Sequence, residues 1–262
     1  MIYNLRLMKK QPSIYKNSHN IEIIYGVHAI LAALNNPRRK PDALLCTDKV
    51  YEKHQNDIDA TFHGRTVRIK QTSKQEIEKL LPENTVHQNM LLYTSKLPTM
   101  PLNKLIKQDK NNMSLLILDQ VCDPHNIGAV IRSAAAFDID GIILLKKSVP
   151  QNFSTISKTA CGGIEHIPIV EVTNIHQTLE ALKKEGFWCI ALDERASTSL
   201  QDHKFEGRSA LIFGAEGKGL RPLTKKACDI FLNIPTSGNL KSLNISVAVA
   251  LSLYEMKRNL TT

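Results

Sequence analysis

The stretch Ile234-Pro235-Thr236-Ser237-Gly238-Asn239-Leu240-Lys241-Ser242-Leu243-Asn244-Ile245-Ser246-Val247-Ala248-Val249-Ala250-Leu251-Ser252-Leu253-Tyr254-Glu255 decides how the rest of this chain is read. Ile234-Pro235 closes an apolar run of strand character, Thr236 to Asn239 has turn chemistry, and from Leu243 to Tyr254 apolar residues recur at helical spacing. Ser242, Ser246, Ala248, Ala250 and Ser252 put little bulk between Leu243, Val247, Leu251 and Tyr254, so other backbone can approach one face closely. Taken alone, the pattern is equally that of a terminal core helix.

Working back from it, short apolar runs at Leu115 to Leu118, Gly141 to Leu145, Ile167 to Val170, Trp188 to Leu192, Ala210 to Phe213 and Ile230 to Ile234 alternate with helical patterns. Those helices are Ile127 to Phe137, Phe153 to Ala160, Ile175 to Lys184 and Leu223 to Cys228. Strands that are apolar throughout, separated by helices, predict a parallel sheet covered on both faces. Ligands of such sheets bind beyond the carboxyl ends of the strands.

Three loops at that edge carry candidate chemistry. Asp119-Gln120-Val121-Cys122-Asp123-Pro124-His125-Asn126-Ile127-Gly128-Ala129-Val130-Ile131-Arg132 follows the first strand. Asn126 stands where it can cap the helix, and Arg132 projects from it one and a half turns later, beside Ala134, Ala135 and Ala136. The plain alternatives are an ordinary cap and a surface ion pair. Phe213-Gly214-Ala215-Glu216-Gly217-Lys218-Gly219-Leu220 gathers three glycines after a later strand, which permits close approach of backbone to a ligand. It fits neither the dinucleotide nor the triphosphate glycine pattern. Glu216 is a candidate acceptor, or else a solvated turn carboxylate. The third loop is the opening stretch, with Ser242 and Asn244 at the mouth of the last helix.

The first 112 residues form a different unit. They carry 18 Lys and Arg against 10 Asp and Glu, whereas residues 113–262 carry 16 against 15. Nearly all of the net charge of +9 thus lies in the first part, which predicts contact with a polyanion there. Residues 1–20 read as a basic arm or an organellar leader, 21–97 as a small α/β unit, and 98–112 as a linker with room for a short helix. In the small unit Ser73-x-x-Glu76 is a capping box, and Asn35-Asn36-Pro37 stops a helix that begins after Gly26. Five scattered cysteines, with no C-x-x-C and no histidine at metal-ligand spacing, predict reduced thiols, a cytoplasmic setting and no metal. No window approaches the length of a membrane span.

Taken together and in order, Asn-x-Gly-x-x-x-Arg, Phe-Gly-x-Glu-Gly-x-Gly and Ile-Pro-x-x-Gly-x-x-x-Ser-Leu-Asn-x-Ser-x-Ala resemble the three signature segments of the SpoU (TrmH-type) RNA 2′-O-ribose methyltransferases. The resemblance covers roughly residues 113–258. The Tyr-Gly-x-His-Ala opening of the first unit is similar to the small ribosomal-protein-like substrate-binding domain of many members. It implies an α/β fold with a deep trefoil knot in the C-terminal parallel sheet, an exception to the rule against threaded loops. It also implies a bent S-adenosylmethionine held at Gly214, Ile234 and Leu243, with dimerisation through the knotted region.

By the same resemblance Arg132 helps to activate the ribose hydroxyl, and Asn126, Glu216, Ser242 and Asn244 surround the substrate and methyl donor. A guanidinium stays protonated, so Arg132 is read as phosphate clamp and electrostatic stabiliser rather than base. The two-domain layout is closest to the group acting on a guanosine of large-subunit rRNA. Arg38, Arg39, Lys40, Arg65 and Arg68 are the candidate phosphate contacts. The competing readings are a tRNA ribose methyltransferase of the same family, which generally lacks the first domain, and a knotted rRNA-binding protein without transfer activity. Two departures stand out: His87-Gln88-Asn89 where His-Gln-Gly is common, and Thr236 where Met is commoner. Asn tolerates left-handed backbone, so the first exchange is expected to be benign.

Overall fold

The computed structural model describes residues 20–62, 64–150, 153–237 and 242–260. The basic arm expected over residues 1–20, apart from Asn20, and positions 238–241 of the final loop lie outside them.

The first unit is a four-stranded sheet of order β1-β4-β2-β3, built from β1 (Ile21–Tyr25), β2 (Pro41–Cys46), β3 (Arg68–Gln71) and β4 (Met90–Ser95). Helix α1 (Val27–Asn35) follows β1 through Gly26, whose φ of 93° no side chain tolerates well. Gln88 accepts from the Val27 amide at 3.0 Å and so caps α1 from another loop. Helix α2 (Asp48–Thr61) joins α1 over one face of the sheet, around buried Ile30, Leu34, Leu44, Ile58 and Leu92. Ser73 caps the short α3 (Lys74–Glu78) by accepting from the Glu76 amide, as the capping box predicts. Asn89, the departure from the common glycine, has φ 57° and is left-handed as expected.

The predicted linker is packed rather than free. It contains α4 (Leu102–Ile106), whose Leu105 and Ile106 are buried against the large sheet with Met113 and Leu115. A side chain at Gly141 would meet Leu105 at 2.7 Å, so that glycine is the seat of α4.

Seven strands make the large sheet: β5 (Met113–Asp119), β6 (Gly141–Leu145), β7 (Ile169–Val172), β8 (Phe187–Leu192), β9 (Thr198–Ser199), β10 (Arg208–Gly214) and β11 (Ile230–Asn233). Their order is β7-β6-β5-β10-β8-β11-β9, with every pair parallel. Helices α5 (Pro124–Ala136), α6 (Phe153–Thr159) and α9 (Ile245–Leu260) cover one face; α7 (Ile175–Lys184) and α8 (Pro222–Ala227) cover the other. The predicted alternation is met strand for strand, except that the two-residue β9 is too short to leave a periodic signal.

The crossover around β11 departs from a simple doubly wound sheet. After β8 the chain runs outward to β9 and then returns to β10 on the far side of β8, while β11 lies between β8 and β9. The Asp193 amide donates to the Leu232 carbonyl at 3.0 Å, and the Asn233 side chain donates to the Ala196 carbonyl at 2.5 Å. The chain around residues 193–207 therefore loops past β11.

The two units meet on α6 and the turn after it. Gly162 is left-handed, and a side chain there would meet Ala32 of α1 at 2.5 Å. Ser154 donates to the Ile23 carbonyl at 2.5 Å, and the Tyr25 hydroxyl lies 3.2 Å from Thr155. Beneath these contacts Arg39, 1% exposed, places Nη2 2.7 Å from Glu165, and its Nη1 is bonded to Glu22. Asn36 adds a 2.7 Å bond to Glu165. Burial alone would lower the Arg39 pKa, but the carboxylates of Glu165 and Glu22 raise it; burial raises that of Glu22 despite Arg39.

This corrects the expectation that Arg39 grips phosphate, since its donors are committed to a buried cluster. Arg65 is corrected likewise: its guanidinium donates to the carbonyls of Leu34, Asn36, Arg39, Thr61 and Phe62, closing the carboxyl ends of α1 and α2. Arg68 is exposed but paired with Asp42 at 2.6 Å, and Arg38 donates to the Glu165 carbonyl at 2.8 Å. Lys40 is exposed.

Candidate functional site

Three segments distant in sequence converge at the carboxyl edge of the large sheet. Strand β5 ends at Asp119, and Gln120 takes a left-handed φ of 64° that turns the chain toward α5. Asp123, not Asn126, caps α5: its carboxylate accepts from the His125 amide at 3.0 Å, and Pro124 occupies the first helical position. Asn126 is thereby released from the expected capping role, and its amide reaches across the site. It donates to Glu216 at 3.1 Å and accepts from Asn244 at 3.1 Å.

Glu216 is the hub. One carboxylate oxygen accepts from Asn126, from Asn244 at 2.9 Å and from the Ile245 amide at 3.2 Å. Its negative charge thus sits at the amino end of α9, where the helix dipole favours it. Asn244 caps the same helix, its Oδ1 accepting from the Ser246 amide at 2.9 Å and from the Ser246 hydroxyl at 2.6 Å. The reading of Glu216 as a solvated turn carboxylate fails here, while α9 is a core helix, with Ile245, Val249, Leu253 and Met256 buried, that also presents a polar end.

The glycine loop is held in shape by its own backbone. A side chain at Gly214 would meet the carbonyl carbon of Gly219 at 2.2 Å and the Leu220 nitrogen at 2.4 Å, while Ala215 and Gly219 form a bridge. Gly214 is therefore required for the loop to fold back, and Gly217 and Gly219 supply the left-handed turns. Under this loop lies a residue sequence reading passed over. Asp119 is fully buried, with the Arg221 guanidinium at 2.7 Å and the Thr224 hydroxyl donating at 2.7 Å. An acid ending a wholly apolar strand was its signal.

Arg132 is exposed on α5, its guanidinium 3.5 Å from the Cys161 sulfur. The backbone around it is tightly packed. A side chain at Gly163 would meet the Arg132 Cα at 3.2 Å, and one at Gly128 would meet Thr159 at 2.6 Å. Helix α6 and its following turn thus press on α5 from one side and on the first domain from the other.

Ile234 is half-buried against the core on the α5 face, Leu243 is half-buried, and Ser242 is exposed two residues before Asn244. Residues 234–237 leave the sheet as irregular chain, since β11 ends at Asn233. Among the described residues no cluster of three or more His, Cys, Asp or Glu is arranged for a metal ion. Nor is any helix among them long and apolar enough to cross a membrane.

A parallel α/β sheet with a folded-back glycine loop and a polar cluster at its carboxyl edge has the layout of a ligand-binding α/β enzyme. Residues 113–254 match the SpoU rRNA Methylase family, and residues 23–100 match the RNA 2′-O ribose methyltransferase substrate binding family. The chain belongs to the SpoU rRNA methylase family. It is 34% identical over 241 residues to the 23S rRNA (guanosine-2′-O-)-methyltransferase RlmB of Coxiella burnetii, covering 91% of this chain and 96% of that protein. It is also 34% identical over 245 residues to the uncharacterized tRNA/rRNA methyltransferase slr0955 of Synechocystis, covering 91% of this chain but only 62% of the length of that relative. Its fold matches that of the SpoU methyltransferase AviRb from Streptomyces viridochromogenes, solved in complex with AdoMet, at a TM-score of 0.77 and 21% identity over 93% of this chain and 91% of that one.

Proposed function

We propose that this protein transfers a methyl group from S-adenosylmethionine to the ribose 2′-hydroxyl of a guanosine in large-subunit rRNA. The observation that carries the reading is the convergence of Asn126, Glu216 and Asn244 on one another, in a family member that shares 34% identity with an rRNA guanosine methyltransferase over nine-tenths of both chains.

The cofactor supplies an activated methyl group, so the chain must supply position and electrostatics. Gly214, Ile234 and Leu243 form the cradle, with the main chain of 234–237 as its hydrogen-bonding wall. Glu216 fixes the geometry of Asn126 and Asn244, and these two side chains, with Ser242, orient the ribose. Arg132 clamps the adjoining phosphate and stabilises the hydroxyl as it loses its proton to a phosphate oxygen of the RNA. Removing one such preorganised contact typically costs about 10²–10³ in rate.

The looping of residues 193–207 past β11 supports a trefoil knot through which the chain reaches α9. On α9, Val247, Leu251 and Tyr254 are 46%, 44% and 57% exposed and lie three to four residues apart. That apolar stripe supports a homodimer formed through the knotted domain. The reduced thiols and the rRNA substrate suit the cytoplasm.

The test is transfer of labelled methyl from S-adenosylmethionine to protein-free large-subunit rRNA and, separately, to tRNA, followed by mapping of alkali-resistant linkages. Resistance at one rRNA guanosine is the expected result. Label in tRNA alone would replace the substrate, and bound cofactor without transfer to either RNA or to ribosomal particles would replace the enzyme with a binding protein.

A further inference from the structure

The net positive charge of the first domain needs another address, because four of the five arginines and lysines expected to meet RNA have other partners, Arg38 among them through the Glu165 carbonyl. Arg39 is buried, Arg65 closes two helices and Arg68 is paired with Asp42. In the second domain and linker, Lys110, Lys183 and Lys225 are likewise paired, with Asp140, Asp229 and Asp193.

One group of exposed cations shares a single concave surface. A groove of about 740 Å³ runs between the domains, and Arg38, Lys96, Lys104 and Lys146 all line it and are all exposed. Among the described residues none of the three lysines is ion-paired. Two carboxylates also line the groove. Glu22 is paired with Arg39, which it shares with Glu165, and Glu171 stands on the outer strand β7.

Its walls come from both domains and are fastened to each other. Lys96 follows β4 of the first domain, Lys104 sits on α4, and Lys146 follows β6 of the large sheet. The Arg39 cluster with Glu22 and Glu165 ties the first domain to the second, and Arg38 itself donates to the Glu165 carbonyl. Leu97, Val149 and Phe153 contribute apolar lining to the same groove. Because β6 adjoins β5, Lys146 lies on the same carboxyl edge of the sheet from which the chain turns toward Asn126.

We propose that this interdomain groove is the track of the substrate RNA: Lys96, Lys104 and Lys146 neutralise successive phosphates of an unpaired strand whose ribose is delivered to the site. The proposal rests on the methyltransferase reading above and adds a path for its substrate. Lysines as unpaired point charges suit a backbone read without regard to sequence, and the apolar lining suits unstacked bases. Unpaired strands are also the form in which RNA exposes a ribose for chemistry.

The test compares two charge-matched triple variants of the full chain. One is Lys96→Ala/Lys104→Ala/Lys146→Ala; the other is Lys49→Ala/Lys53→Ala/Lys184→Ala, on the exposed surfaces of α2 and α7. Arg38 is left intact because it helps to hold the interface. Binding to protein-free large-subunit rRNA is measured across a salt series, with melting temperature and S-adenosylmethionine binding as controls on folding. The groove variant is expected to lose about tenfold or more in affinity near 0.1 M salt, and the slope of log affinity against log salt is expected to fall by about 2 to 3. The surface variant should stay near wild type in slope.

Equal losses in the two variants would overturn the groove in favour of a diffuse basic surface. Wild-type affinity and slope in the groove variant would place the strand elsewhere. A wild-type protein that binds no RNA would overturn the methyltransferase reading itself, and the groove with it. Methyl transfer to RNA by wild type, measured in parallel, separates that failure from a failure of the groove alone.

Discussion

Arg39 and Arg132 make the most instructive comparison in this molecule. Both are arginines on the path between the two domains, only a few residues of packed backbone apart, yet one is a bolt and the other a tool. The Arg39 guanidinium is buried and donates through all three nitrogens, to Glu165, Glu22 and the Ser95 carbonyl, while Asn36 bonds the same Glu165 carboxylate. Arg132 is exposed, with a cysteine sulfur as its nearest polar neighbour at 3.5 Å, while glycines pin the backbone beneath it. A charge whose partners are all internal stabilises a geometry, whereas a charge with a fixed base and a free head is available to a ligand.

Arg39→Ala would break the comparison most severely. It leaves Glu165 and Glu22 buried without their cation, an error that typically costs about 3–5 kcal/mol. The expected outcome is a large fall in melting temperature, and loosening of the interdomain contact should appear as faster amide exchange in α6. Arg132→Ala tests the other side. Methyl transfer should fall about 10²–10³-fold with melting temperature and S-adenosylmethionine affinity near wild type, as measured by initial rates and calorimetry. An Arg132 variant that lost stability instead would erase the distinction.

The smallest effect concerns pH. Burial pushes the thiols of Cys46, Cys189 and Cys228 up to about 11, about 12 and about 12, from an ordinary value of 9.0. Below pH 9 both folded and unfolded chains keep these protons. Above it the unfolded chain loses them first, so the stability they contribute declines between pH 9 and about 12. Thermal melts should be flat in this respect up to pH 9 and fall beyond it. Replacing the three thiols with alanine should flatten the alkaline decline without touching the behaviour of Arg39 or Arg132.

The same pair of arginines marks what could be read from sequence. Strand and helix positions were legible because periodicity is local, and Asn126, Glu216 and Asn244 stood out as polar residues at the ends of those elements, which the structure brings together. The burial of Arg39 was not legible, since its partner Glu165 is 126 residues away and nothing near Arg39 distinguishes it from its exposed neighbour Arg38. The cap of α5 was a subtler miss. Asp123 followed by Pro124 is a stronger helix start than Asn126, and that signal was present in the sequence. The Asp119 contacts with Arg221 and Thr224 depend on the fold of the glycine loop, which no spacing rule describes.

The bonds through Glu216 also order events in time. Asn126 and Asn244 are separated by 118 residues, and Glu216 joins both to the amide of Ile245. Contacts of such sequence separation form late, after the strands between them have paired. A chain trapped with its sheet assembled and its last helix unseated would have native-like secondary structure and no Asn126–Glu216–Asn244 cluster. If the cluster serves the proposed transfer, turnover is a stricter report of completed folding than circular dichroism, because the cluster is the seam at which the final segment is stitched to α5.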